Sequence, residues 1–371
     1  MFTNTKYING GNKMKKFLKA FLLSMMAFTL VACSSGDDSA DDGSSGDGET
    51  YEVGVAIYQY NDNFMTEYRK ELESYFGELG EETGNEYVVD MQDGKNDQAN
   101  QTEQINNFIA QGKDVIIANL VDPTAANNVI NKAKEADIPV VLINREPNPS
   151  DLEVWEGKTT YVGADATQSG TFQGEMIADL DDNGDINGDG VVSHITLLGD
   201  PGNVDAQQRT EYSIRALEEA GIDNKALQEP QQGDWDAARG EEITQSALEQ
   251  FGEDLEVIFS NNDGMALGAV QAIQSAGREV NEDIYIVGVD AIPDAMELLK
   301  SGDLTGTVLN NHFSQSHTAA DIAIKLMNGE DVSPYYWLDY VKVTEADDAE
   351  LKEEEPTEET LEEVKERYEN R

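Results

Sequence analysis

The chain has 371 residues, with 74 Asp+Glu against 25 Lys+Arg, a formal net charge of −49 at pH 7, and a single cysteine. That sign excludes nucleic acid as a partner, because phosphate contacts need cationic side chains, and it opposes flat docking on anionic lipid. One cysteine leaves no disulfide to argue.

In chain order, Met14 opens MKKFLKAFLLSMMAFTLVAC, three lysines followed by an apolar stretch from about Phe21 to Val31. This is the pattern of a secretory signal over residues 1–33, with translation starting at Met14. It is too short for a good membrane-spanning helix. It ends in Leu30-Val31-Ala32-Cys33, which resembles the bacterial lipobox and makes Cys33 the expected lipidation site. The alternative is a cleaved signal with an incidental cysteine. Residues 34–50 are built from Ser, Gly, Asp, Ala, Glu and Thr and read as a flexible acidic tether, spanning roughly 20–25 Å root-mean-square. The expected location is therefore the outer face of the cell membrane, held by lipid. The five lysines before Cys33 leave with the signal, so 20 bases then face 74 acids, a balance of −54. Such a surface suits high salt, where screening removes much of the self-repulsion.

From Glu52 onward, apolar runs alternate with amphipathic stretches. Strands are expected at 53–58, 87–91, 115–120, 140–144, 160–163, 194–199, 255–260, 284–289 and 305–310. Continuous Val/Ile runs separated by helices imply parallel strands buried on both faces. Roughly 290 residues exceed one ordinary core, so two α/β domains are expected. The segment from Glu345 carries 13 acids and four bases and is expected to be a solvated helix or disordered, so 351–371 is set apart as an acidic tail.

The strand ends are polar: Asn61-Asp62-Asn63-Phe64, Asn119, Asn261-Asn262-Asp263, Asp290 and Asn310-Asn311. Asn and Asp also serve turns and helix caps. Ligands of parallel α/β sheets, however, bind beyond the carboxyl ends of strands. Planar amides and carboxylates suit neighbouring sugar hydroxyls, and aromatic rings suit the C–H faces of a pyranose. Phe64 and Trp235, each beside a carboxylate, are the aromatic candidates. A second motif, DINGDGVVS from Asp185 to Ser193, has the oxygen spacing that opens an EF-hand-type calcium loop, but its position 12 is Thr196 where such loops carry Glu.

The segments YNDNFM (60–65), NDQANQTEQI (96–105), ANLVDPTAA (118–126), YVGAD (161–165), DAQQRT (205–210), WDAA (235–238), NNDGMALGAV (261–270), GVDAIPDA (288–295) and SGDLTGTVLN (301–310) resemble the periplasmic galactose/glucose-binding proteins of bacterial ABC transporters. The likeness covers roughly 51–345. It implies the type I periplasmic-binding-protein fold: two Rossmann-like domains joined by three crossings and closing on a sugar. The division expected is 51–138 plus 311–340 for one lobe and 139–310 plus 341–350 for the other. The resemblance carries sugar contacts to Asp62, Phe64, Asn119, Asp205, Arg209, Trp235, Asn262, Asp290 and Asn310, with the two rings sandwiching the sugar. Asn203 stands where the family has His, which leaves galactose-versus-glucose preference open. The resemblance also implies a structural Ca²⁺ held by Asp185, Asn187, Asp189, the Val191 carbonyl, Ser193 and, far along the chain, Glu256.

A monomeric binding protein that hands galactose or glucose to an ABC permease is the leading expectation. A sensor that signals through a membrane receptor shares the same site. A sugar-responsive repressor needs a basic DNA-binding module that this chain lacks. A glycosidase could use paired carboxylates, but the resemblance gives those groups to hydroxyl binding.

Overall fold

The computed structural model describes residues 48–345, 349 and 351–369; the expected signal, Cys33 and almost all of the tether lie outside the described residues. β1 (Thr50–Ile57) begins inside the stretch expected to be tether, because Thr50 pairs with Glu86 and the Glu86 amide donates to the Glu49 carbonyl at 2.8 Å. β2 (Glu86–Asp93), β3 (Val115–Ala118), β4 (Val140–Ile143) and β5 (Thr159–Gly163) follow. A second set comprises β6 (Val192–Leu198), β7 (Asn224–Ala226), β8 (Gln231–Gln232), β9 (Val257–Ser260) and β10 (Tyr285–Val287), all paired in parallel. Then come β11 (Thr307–Leu309), β12 (Tyr335–Trp337), β13 (Val341–Val343) and β14 (Thr357–Glu359).

The first lobe is a sheet in the order β14-β12-β5-β4-β3-β1-β2, parallel except for β14. The second lobe has the order β10-β9-β6-β7, with β8 beside β6 and the antiparallel pair β11–β13 alongside. Every strand expected from the sequence is present, with ends moved by a few residues. Alternate residues of one strand enter different cores: Val115 and Ile117 pack with Leu72 and Phe76 on one face, Ile116 and Ala118 with Phe108 and Ile130 on the other. Burial on both faces is what a run without polar alternation requires. Each such Val or Ile contributes about 1.5–3 kcal/mol.

The expected boundary after residue 138 is corrected. β4 pairs with β3 (Ile116↔Val140) and β5 with β4 (Val140↔Thr159), so both belong to the first lobe. A fully buried Val/Ile run is compatible with either sheet, and only pairing decides. The chain crosses after Gly163 into helix Ala166–Ala178, after Leu309 into helix His312–Met327, and after Trp337 into β13. The tail is corrected too. β14 pairs with β12, and helix Leu361–Glu369 buries Val364 against the first lobe, with Leu361 and Tyr368 packed beside it. These three positions form an apolar stripe at helical spacing within an otherwise acidic segment.

Candidate functional site

The carboxyl ends of β1 and β4 face those of β6, β9 and β10 across a cleft, the position where parallel α/β sheets bind their ligands. The first lobe contributes Tyr58, Asp62, Phe64, Asn144 and Arg145. The second contributes Asn203, Asp205, Arg209, Trp235, Asn262 and Asp290, and Asn310 comes from the second crossing.

Several of these residues are helix caps as well as cleft walls. Asp62 caps helix Asn63–Thr83, its Oδ1 accepting from the Met65 amide at 2.7 Å, while Oδ2 accepts from the Tyr58 hydroxyl at 2.6 Å. Asn203 caps helix Val204–Glu219 by accepting from the Asp205 amide at 2.9 Å. Asn262 caps helix Asp263–Ser275, accepting from the Met265 amide at 3.0 Å. The structural and the functional readings of these residues therefore hold together: one set of atoms satisfies the helix N-terminus while the side chain still borders the cleft.

Arg209 is clamped from three sides. Its Nη1 donates to the Asn261 carbonyl at 2.9 Å, Nη2 to the Tyr340 hydroxyl at 2.9 Å and Nε to Ser169 Oγ at 3.3 Å. Burial works against its charge, but Tyr340, Asp205 and Asp290 more than offset this and raise its pKa. Asp290 is pushed well above the usual carboxylate range by burial, against the pull of Arg209 and with Asp263 and Asp62 adding to the rise. Arg145 stacks over the Tyr58 ring at 3.9 Å, donates to the Val121 carbonyl at 2.6 Å and meets Asp200 of the opposite lobe at 3.2 Å. That ion pair bridges the two lobes.

Three cleft residues hold left-handed backbone without being glycine: Asn144 (φ 62°), Trp235 (φ 65°) and Asp290 (φ 121°). Such conformations cost about 1–3 kcal/mol each and gather where a side chain must be aimed. The Trp235 ring lies so close to the Gly199 backbone that a Cβ there would come within 2.2 Å of it. Phe64 and Trp235 thus enter from opposite lobes. Carboxylates accept, guanidinium groups donate, and amides do both, which matches a ring of vicinal hydroxyls.

Nine of the ten residues expected at the site line this cleft. The exception is Asn119, fully buried one layer behind, where its Nδ2 donates to Asn144 Oδ1 at 3.0 Å and its Oδ1 accepts from the Tyr58 amide at 3.4 Å. The wall position belongs to Asn144 instead. Asn144, Arg145 and Tyr58 were missed, although Asn144 ends the expected 140–144 strand and carries the same polar strand-end signal as the others.

In the 185–193 loop, Asp185 Oδ1 accepts from the amides of Gly188 and Asp189, and its Oδ2 from Gly190. Glu256 reaches the loop from the start of β9, accepting from the Asn187 amide at 3.0 Å and the Ser193 amide at 2.9 Å. Burial raises the Glu256 pKa, and the nearby charges of Asp185 and Asp189 add to it. Among the described residues no group of three or more His, Cys, Asp or Glu side chains is arranged to hold a metal ion by itself. The expected set reaches a calcium-like oxygen count only with an amide, a carbonyl and a hydroxyl, all hard donors.

A periplasmic binding protein domain matches residues 53–331. The chain belongs to the periplasmic binding protein family. It is 36% identical over 319 residues to the D-galactose/methyl-galactoside binding periplasmic protein MglB of Haemophilus influenzae, covering 85% of this chain and 91% of that protein. It is 30% identical over 339 residues to a putative rhizopine-binding protein of Rhizobium meliloti, covering 90% and 99%. A Mycobacterium smegmatis protein solved in complex with β-D-fucofuranose superposes with a TM-score of 0.71 at 28% identity, covering 80% of this chain and 92% of that one. The Haemophilus and Rhizobium relatives are binding proteins, not enzymes, in keeping with the sequence-based expectation. The two-lobed α/β fold is the one expected. Among the described residues no helix is long and apolar enough to cross a membrane.

Proposed function

We propose that this chain is an extracytoplasmic sugar-binding protein that captures D-galactose or D-glucose between its lobes and delivers it to an ABC permease. The observation that carries this reading is the convergence of Phe64 and Trp235 from opposite lobes with Asp62, Asp205, Asp290 and Arg209 on one cleft. Uncharged polyols satisfy such a wall of mixed donors and acceptors, and a stacked pyranose uses both rings. The similarity to the galactoside-binding relative supports the hexose over other sugars. Titrating the intrinsic tryptophan fluorescence with a panel of hexoses, pentoses and inositols tests it. Saturable changes with galactose and glucose are expected; a response confined to a pentose or an inositol would move the assignment to that ligand.

Two further parts of the reading concern attachment and calcium. Lipidation at Cys33 would hold the protein on the outer membrane face through the acidic tether. One Ca²⁺ would be held by Asp185, Asn187, Asp189, the Val191 carbonyl, Ser193 and Glu256, clipping the loop to the strand that leads to Asn262. The residues fit this role chemically, since a buried carboxylate faces two others of the same charge, and a cation relieves that repulsion. Position 9 of such a loop, here Ser193, often acts through water.

A further inference from the structure

Beyond β12, the described residues contact first one lobe and then the other. β13 pairs with β11 in the second lobe (Val308↔Lys342), and Ala349 packs against that lobe's core. Three residues later, the Lys352 carbonyl accepts from Asn311 Nδ2 at 3.0 Å and Ser314 Oγ at 2.9 Å, and the Glu354 amide donates to Ser314 Oγ at 2.9 Å. Those contacts sit at the start of helix His312–Met327, which packs on the first lobe. β14 then adds to the edge of the first sheet beside β12, and Trp337 Nε1 donates to Glu359 Oε2 at 3.0 Å. Finally Arg367, paired with Glu359, also meets Asp165 at 2.7 Å. Asp165 caps helix Ala166–Ala178, the first helix of the second lobe.

We propose that Ala349 and residues 351–369 act as a strap, a fourth tie between the lobes that limits how far the cleft opens. It touches each of the three other crossings: Asn311 and Ser314 at the second, Trp337 at the third, Asp165 at the first. A span of three residues reaches at most roughly 10 Å, so the anchor at Ala349 cannot move far from the anchor at Lys352. The far end cannot slip, because three residues of β14 are paired and Val364 is fully buried in the first lobe. Three short crossings close to one axis permit rotation about it. A fourth tie, with an ion pair beside a different crossing, resists that rotation. The inference rests on the reading of the lobes as halves that open and close, but not on which sugar they hold.

The test is the ligand-free distribution of distances between spin labels at Asn128→Cys and Glu211→Cys, one exposed site on each lobe, in the full chain carrying Cys33→Ala. Three backgrounds are compared by pulsed electron resonance: the intact C-terminus, a stop after Glu350, and six Gly/Ser residues inserted between Glu350 and Leu351. The insertion leaves β14 and its helix free to dock while adding roughly 20 Å of reach, so it decides the matter even where the truncated chain folds poorly. A broader distribution centred at longer distance is expected in the insertion variant, and in the truncation if folded. The same distribution in the insertion variant as in the intact chain would overturn the strap. That result would leave sugar binding untouched, and failure of every sugar to bind would leave the strap standing.

Discussion

Trp235 lies against the Gly199 backbone in a left-handed conformation, so its ring has one place to be. Trp235→Ala is expected to weaken galactose and glucose binding by about 2 kcal/mol, in the manner of a buried aromatic anchor, with little change in melting temperature. Isothermal titration of variant and parent checks it; equal affinities would remove Trp235 from the site. Asn119→Ala is expected to act differently. It strips a fully buried donor from Asn144 Oδ1 and the Ile143 carbonyl, which costs stability of about 1–3 kcal/mol and also loosens Asn144 at the wall. Denaturant unfolding together with sugar titration distinguishes this from a purely structural loss, which would leave affinity unchanged. At this scale the sequence was informative at most of the polar strand ends, as at Asp62, Asn262, Asp290 and Asn310. It failed between Asn119 and Asn144 because both end buried strands of the same sheet. Only the hydrogen bond from one to the other tells wall from backing.

Among the elements, the DINGDGVVS loop and β9 form one unit joined through Glu256, whose two carboxylate oxygens each accept from a loop amide. An ion bound only by the folded chain adds RT ln(1 + [Ca²⁺]/Kd), about 2.7 kcal/mol at a hundredfold excess over Kd. Chelator is therefore expected to lower the melting temperature of the parent, and Glu256→Gln to lose most of that calcium-dependent part. Sugar affinity should stay nearly constant, because none of the ion's expected ligands lines the cleft. Thermal melts with chelator and with added calcium decide it; one melting temperature across parent and variant would make the loop a turn only. The strands were legible because Val/Ile runs buried on both faces leave no polar alternation to confuse them. The lobe boundary was not, since β4 and β5 look the same in either sheet until their partners are known. The tail misled because its charge masks a stripe of Leu361, Val364 and Tyr368.

The whole molecule carries an excess of acid, and part of it is buried. Burial raises Asp263 to about 7 and Asp321 to about 6, against the hydrogen bonds that pull each down. Unfolded, such carboxyls titrate near about 4. Between that value and the folded one, the native state binds more protons, so the stability these groups contribute falls as pH rises from about 4 to 7. Melting temperature is expected to be higher at pH 5 than at pH 8, with a shallower slope in Asp263→Asn; a slope unchanged by that substitution would contradict the assignment. At the other end of the chain, Cys33→Ala is expected to shift the protein from the membrane fraction to the medium, and a parent already soluble in the absence of detergent would contradict the lipid anchor. The central claim concerns the cleft, and isothermal titration of the intact protein with D-galactose and D-glucose tests it most directly. Binding of both at one site per chain, abolished or strongly weakened by Asp290→Ala, is the predicted result; no heat with either hexose alongside clear binding of a different solute would contradict it.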